Sequence, residues 1–239
     1  MTATAASKAP SIWEDFIDIF TSPSEVFARR QNGNWFLPMV VVTVICCLIF
    51  VGTKSLTQPV FDAEYARATA AAMRANPQVT AAQMEKGKAI FDTFQVVFFL
   101  VGIPIGIFFV GLLLWLIGKL FDSTMNLGGG LLVASYAAFP KIFQFIAGAL
   151  IAFFSDPSSL TSATKISVSP AHFLDVSNTS LIVLTLLARI DLFTIWCTIL
   201  LGIGLAVIGK ISRSKAMTAA FIVWILATVF PLYQAMRAM

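Results

Sequence analysis

Residues 94–117 read FQVVFFLVGIPIGIFFVGLLLWLI, and Lys119 closes them. No side chain in that stretch is charged. A bilayer core is about 30 Å thick, and a helix needs about 20 mostly apolar residues to cross it. The stretch therefore reads as a membrane-spanning helix. Four others flank it. The first runs from about Phe36 to Val51, closed by Gly52 and Lys54, with Leu37-Pro38 as its opening turn. A third runs from about Leu131 to Phe154, closed by Asp156 and Pro157. The fourth covers about Leu192 to Ile208, and the fifth about Ala216 to Tyr233.

Composition agrees with that reading. Of 239 residues, 58% are hydrophobic and 12% charged, with a mean hydropathy of +0.87. Soluble domains carry about 25% charged residues, so this chain could not cover a water-exposed surface. The net charge of +4 reads as juxtamembrane Lys and Arg, not as a nucleic-acid footprint. Cys46, Cys47 and Cys197 fall inside apolar runs and are expected to act as small hydrophobes, with no disulfide and no metal site. The charged residues of 1–34 argue against a signal peptide.

The segment around Ile12–Phe20 has helical apolar spacing. Ile12, Phe16, Ile17 and Phe20 form one face with Trp13 beside them, and Glu14, Asp15 and Asp18 fall on the other. Ser11 can cap it. Thr21-Ser22-Pro23-Ser24 breaks it, and a short helix follows through Phe27 to Arg30. Trp13, Phe16, Phe20, Phe27 and Trp35 are the expected interfacial anchors. The acidic face leaves packing onto the protein's own spans as open as binding to headgroups.

Residues 55–93 form the largest polar excursion. Pro59–Ala75 favours helix, Asn76-Pro77 breaks it, and Thr80–Asp92 restarts it into the second span. Residues 155–180 read as an irregular Ser/Thr-rich loop. Residues 181–188, LIVLTLLA, are too short to cross as a helix. They read as an interfacial or re-entrant stretch, or as part of one long tilted helix. The predicted fold is an all-α polytopic membrane bundle of about five transmembrane helices, with an amphipathic N-terminal helix and an extramembrane helical hairpin. Residues 1–34 form the N-terminal amphipathic, interfacial segment. Residues 35–239 form the transmembrane domain, with the insertion at about 55–93.

Orientation follows from Lys and Arg near the spans. With the N-terminus cytoplasmic, the inside loops hold Lys8, Arg29, Arg30, Lys119, Lys210, Arg213 and Lys215. The outside holds Lys54, Arg67, Arg74, Lys86, Lys88, Lys165 and Arg237. The numbers tie. Residues 210–215 break the tie with three bases and no acid, and long loops such as 54–88 translocate despite their charge. The N-terminus is expected inside and the C-terminus outside.

Ionisable residues at membrane depth are costly and need a reason. Lys141 follows Tyr136-Ala-Ala-Phe-Pro140 in the third span, and Arg189 and Asp191 head the fourth. Pro140 frees the Tyr136 carbonyl. A notch at Tyr136, Lys141 and Gln144 is placed to face Asp191, Thr194 and Trp196. It reads either as an ion, proton or lipid-headgroup site, or as a structural pair with snorkelling cations. Gly128-Gly129-Gly130 reads as a flexible re-entry turn. Gly102-x-x-x-Gly106 and Gly202-x-Gly204 offer small faces for close helix packing. Enzyme motifs do not assemble: His172 is the one histidine and reads as a solvated loop partner of Asp175. There is no Gly-x-Ser-x-Gly elbow, and the aspartates are scattered. No enzyme activity, catalytic residue, cofactor or metal is expected.

Several segments carry a family resemblance. They are Trp13-Glu-Asp-Phe16 through Phe20-Thr-Ser-Pro23-Ser-Glu-Val-Phe27-Ala-Arg29, then Trp35-Phe-Leu-Pro38, Tyr136-x-x-x-Pro140, Asp191-Leu-Phe-Thr-Ile-Trp196 and Ser212-Arg-Ser-Lys215-Ala216. In this order they resemble the bacterial branch of the Yip family, named after proteins that interact with Ypt/Rab GTPases. The resemblance covers nearly the whole chain. It implies five spans and a cytoplasmic N-terminus; the inner membrane is the expected location. Eukaryotic relatives act in vesicle traffic between endoplasmic reticulum and Golgi. The insertion at 55–93 is longer, and the N-terminal segment shorter, than that role would imply.

Two functions follow as expectations. The first is a non-enzymatic scaffold, membrane-organising protein or accessory subunit, with lipids and other membrane proteins or its own copies as partners. The alternative is a small transporter or channel using Lys141 and Asp191 between the third and fourth spans.

Overall fold

The structure is a computed structural model that describes residues 11–76, 78 and 80–237. Lys8 and Pro77, used above for orientation and for the hairpin break, lie outside the described residues. The described residues hold no strand. Their helices are α1 (Ile12–Thr21), α2 (Pro23–Arg30), α3 (Phe36–Ala75), α4 (Ala81–Lys119), α5 (Leu127–Ala137), α6 (Pro140–Phe154), α7 (Leu181–Ala188), α8 (Leu192–Gly209) and α9 (Arg213–Arg237). Among the described residues five units are long and apolar enough to cross a membrane: α3, α4, α5 with α6, α8 and α9. The protein is an integral membrane protein with an all-α bundle. Its most buried span is α8 and its most exposed is α4.

Small residues set how closely the spans approach. Lipid tails are as apolar as the helices, so close contact between backbones matters more than hydrophobicity. Ala216, Ala219 and Ala220 of α9 are fully buried in the core. A Cβ on Gly130 would stand 2.7 Å from the Gly111 carbonyl, and one on Gly111 would stand 2.9 Å from the Leu131 Cα. The glycine run at 128–130 is therefore not the flexible turn expected. It forms the first turn of α5, capped by Asn126, whose Oδ1 accepts from the Gly129 N–H at 2.8 Å. At Gly130 glycine is needed for contact with α4, not for freedom. By contrast, a Cβ on Gly102 or Gly106 would meet nothing within 4 Å. That small face opens onto a cavity and is not a packing seam.

The first span does not stop at Gly52 and Lys54. α3 continues through Pro59 to Ala75, a length of about 60 Å at 1.5 Å per residue. That is about twice the bilayer core. α4 is nearly as long, at 39 residues. Their outer halves form the expected hairpin as direct extensions of the two spans. The Lys54 Nζ donates to the Asp92 carbonyl at 3.0 Å, and Lys88 pairs with Asp62 at 2.9 Å and Asp92 at 2.6 Å. The Tyr65 hydroxyl donates to the Met84 carbonyl at 2.8 Å. Residues 155–180 make three 3-10 turns and brace this arm: Glu64 accepts from the Ser162 hydroxyl and the Ala163 N–H, both at 3.0 Å. His172 does not pair with Asp175. Asp175 instead accepts from the Ser177 N–H and the Asn178 side chain.

Pro140 breaks the third span as expected. The Tyr136 carbonyl, which Pro140 cannot serve, accepts from the Phe139 N–H at 3.2 Å, so a tight turn joins α5 to α6. Residues 181–188 form a separate eight-residue helix, not part of a long tilted one. Arg189 and Ile190 end it, and Asp191 caps α8.

Candidate functional site

Two charged groups lie within the bundle. The first belongs to the N-terminal hairpin. Ser11 and Glu14 form a capping box at the start of α1, and Pro23 opens α2 in the first turn, where its missing N–H costs nothing. The hairpin folds about Ser22, so residues about equally far from it meet. Asp15 thereby meets Arg29 and Arg30. Asp15 is fully buried. Its Oδ1 pairs with the Arg29 Nε at 2.6 Å, and its Oδ2 with the Arg30 Nε at 2.5 Å. The Tyr136 hydroxyl of α5 donates to Oδ2 at 3.1 Å, and Arg29 also reaches Asp18 at 2.6 Å. Burial opposes the Arg29 charge, but its hydrogen bonds to Asp18 and Asp15 outweigh it and raise its pKa. Each carboxylate oxygen of Asp15 is thus used.

Asp15 departs from the expected polar face of α1, while Glu14 stays exposed on it. Asp15 and Ile19 point inward, while Trp13 and Ile17 are about 70% exposed. The other proposed anchors divide. Phe16 stacks on Phe139 at 5.0 Å, and Phe20 packs edge-on against Phe143 at 5.1 Å and Trp196 at 5.4 Å. Phe27 is fully buried against Tyr136, and Trp35 packs against the core. Trp196 lies about 20 Å along α8 from Gly209, so the hairpin tip reaches well up the bundle.

The second group lies beyond the Pro140 break. The Asp191 Oδ1 accepts from the N–H groups of Phe193 and Thr194, at 3.0 and 3.2 Å, and from the Gln144 Nε2 at 3.0 Å. The Lys141 Nζ reaches the Gln144 Oε1 at 3.4 Å. The Arg189 Nε donates to the Thr228 hydroxyl of α9 at 3.0 Å. Neither Lys141 nor Arg189 forms an ion pair among the described residues. Both line one cavity of about 530 Å³, bounded by α4, α5, α6, α8 and α9. Its wall is mostly apolar, with Thr194, Thr198 and Trp224 among the polar members.

The structure thus splits the predicted notch. Lys141, Gln144 and Asp191 come together, with Arg189 on the same cavity. Tyr136 turns to Asp15, and Trp196 stacks on Phe143 at an interplanar angle of 4°. Asp15, Arg29, Arg30, Trp224 and Thr228 were not singled out by spacing. The signal for the first three was the hairpin break at Ser22-Pro23.

The sequence matches the Yip1 domain over residues 17–233. The chain belongs to the Yip1 domain family. No curated protein and no solved structure matches it. The Yip1 match runs from inside α1 to near the end of α9, so it includes the whole cavity and the partners of Asp15 in α2 and α5. Among the described residues no cluster of His, Cys, Asp or Glu is arranged to hold a metal.

Proposed function

We propose that this Yip1 protein is a non-enzymatic scaffold or accessory subunit of the inner membrane, with its N-terminus in the cytoplasm. The observation that carries the reading is the braced arm made by the outer halves of α3 and α4. Two spans extend as a stiff hairpin, tied by Lys54, Lys88 and Tyr65 and propped by the 155–180 loop through Glu64. A rigid projection of this kind presents a fixed surface to another membrane protein or to a second copy. The orientation is supported by the end of the bundle where α4, α8 and α9 meet. The Thr124 N–H bonds the Gly209 carbonyl at 3.0 Å, and Lys119, Lys210, Arg213 and Lys215 gather there. The test is native mass spectrometry after gentle extraction from the host membrane. A protein partner or a dimer is expected, lost when Arg67 and Lys88 are replaced by Glu. Monomer alone overturns the reading.

A second reading, a small transporter or channel, is supported by the Lys141–Gln144–Asp191 chain at membrane depth. It predicts proton or ion flux in liposomes that falls with Asp191→Asn and Lys141→Met. Flux equal to that of empty liposomes rejects it.

A further inference from the structure

We propose that the cavity lined by Lys141 and Arg189 holds one membrane lipid by a singly charged phosphodiester headgroup, with an acyl chain lying against Gly102 and Gly106. Charge comes first. Lys141 and Arg189 face one low-dielectric space, and the nearby Asp191 supplies one negative charge, held by Gln144 and by the first N–H groups of α8. Two cations against one carboxylate leave one positive charge uncompensated. An unneutralised charge inside a membrane protein is costly, and a single anionic phosphodiester removes that cost.

Donors come second. The Lys141 ammonium has one long contact, to Gln144. Arg189 uses its Nε on Thr228, and its terminal nitrogens make no hydrogen bond among the described residues. The Trp224 Nε1 is buried and has no partner among the described residues, although Trp224 lines the cavity. Two cationic groups with spare donors converge on one space, and the enclosed Trp224 Nε1 lies in its wall. Arg and Lys together suit phosphate oxygens, with the guanidinium able to bond two at once.

Shape comes third. Binding sites for small molecules run from about 300 to 1,000 Å³, and this cavity is about 530 Å³. Phe98, Gly102 and Gly106 line it and are exposed on α4, the span most open to lipid. A molecule can therefore enter sideways from the bilayer. The side-chain-free strip at Gly102 and Gly106 leaves room for a chain. A water-soluble anion would use the charges but not the apolar wall.

The experiment is native mass spectrometry of the purified full-length protein in detergent, titrated separately with phosphatidylglycerol, phosphatidylcholine, oleate and inorganic phosphate. One retained phosphatidylglycerol is expected, with about tenfold weaker retention in Lys141→Met and in Arg189→Met, the loss carried by one charge-assisted hydrogen bond. A phosphatidylglycerol with brominated chains should quench tryptophan emission of the wild type more than that of Trp224→Phe. Gly106→Leu, which leaves both cations in place, should block retention if the charge variants do not fold. Equal retention of phosphatidylcholine, preference for oleate, displacement by inorganic phosphate, or unchanged retention in these variants each overturns the proposal. The proposal does not rest on the scaffold reading: a protein that has lost its partner would still retain the lipid.

Discussion

The hairpin cluster and the cavity cluster place charges inside the same bundle and solve the problem in opposite ways. Around Asp15 every carboxylate oxygen has a partner: two guanidiniums and a tyrosine hydroxyl close on it from α2 and α5. Around Lys141 and Arg189 the cations outnumber the acid, and the Asp191 Oδ2 and Trp224 Nε1 have no partner among the described residues. A buried charge set that is complete holds a structure together. One that is incomplete leaves a cost that an outside partner would relieve. The contrast separates a tie from a site more reliably than burial does, since Asp15 and Asp191 are both buried to within about 1% exposure.

The contrast breaks most sharply on deletion. Asp15→Ala takes the shared acid from Arg29 and Arg30, which are part-buried, and Arg29 keeps Asp18, so the loss falls toward the lower end of the about 3–5 kcal/mol for a fully buried pair. Chemical denaturation in mild detergent should show that loss. Lys141→Met should instead leave the midpoint equal to wild type or higher, because it removes a cation whose only hydrogen bond among the described residues is a long one to Gln144. If the two variants lose equal stability, the cavity is a structural cluster like the hairpin and the distinction fails. Tyr136→Phe tests the tie at intermediate size: it removes one hydrogen bond to a charged group, worth about 1.5–3 kcal/mol.

The glycines repeat the contrast at smaller scale. Gly130→Ala drives a methyl into the Gly111 carbonyl, so backbone must move, at a cost of about 1–3 kcal/mol. Gly106→Ala meets nothing and gains helix propensity of up to about 1 kcal/mol. Thermal melts of the two variants should shift in opposite directions. A shared loss would mean that the cavity wall is packed and not open.

The spans, the Pro140 break and the helical arm were legible because each depends on local properties: apolar length, a missing N–H, and helix-forming composition. The separation of Gly102 and Gly106 from Gly111 and Gly130 was not legible. The same small residue serves an empty wall or a close contact, and only the neighbouring helix decides which. The inward turn of Asp15 was hidden for a related reason. Helical periodicity sorts residues by polarity, and a carboxylate neutralised from another helix sits on the face that polarity assigns to apolar residues. Lys141 and Arg189 stood out as charges at depth, but their common cavity depends on α4 and α9, which carry no charge there to announce it.

The smallest expected effect lies outside the membrane, where an exposed pair gives a third point on the same scale. Lys215 pairs with Asp122 at 2.8 Å, and its hydrogen bond holds the Asp122 carboxyl below its ordinary value of 3.8. A carboxyl lowered in the folded state adds stability above its unfolded pKa, and that stability fades as the pH falls through the folded value. The pair is open to solvent, so salt screens it and the effect is slight. Asp122 also holds a left-handed backbone, φ 64°, which Asn tolerates, so Asp122→Asn removes the charge without straining the turn. Melts well above pH 3.8 should place the variant slightly below wild type at low salt, with the gap closing below that pH or on adding salt. A gap that survives acid would assign the contribution to the turn itself. Closure in acid and salt would fix the exposed pair as the weakest of the three arrangements, with solvent supplying the compensation that Arg29 and Arg30 give Asp15 and that the cavity cations lack.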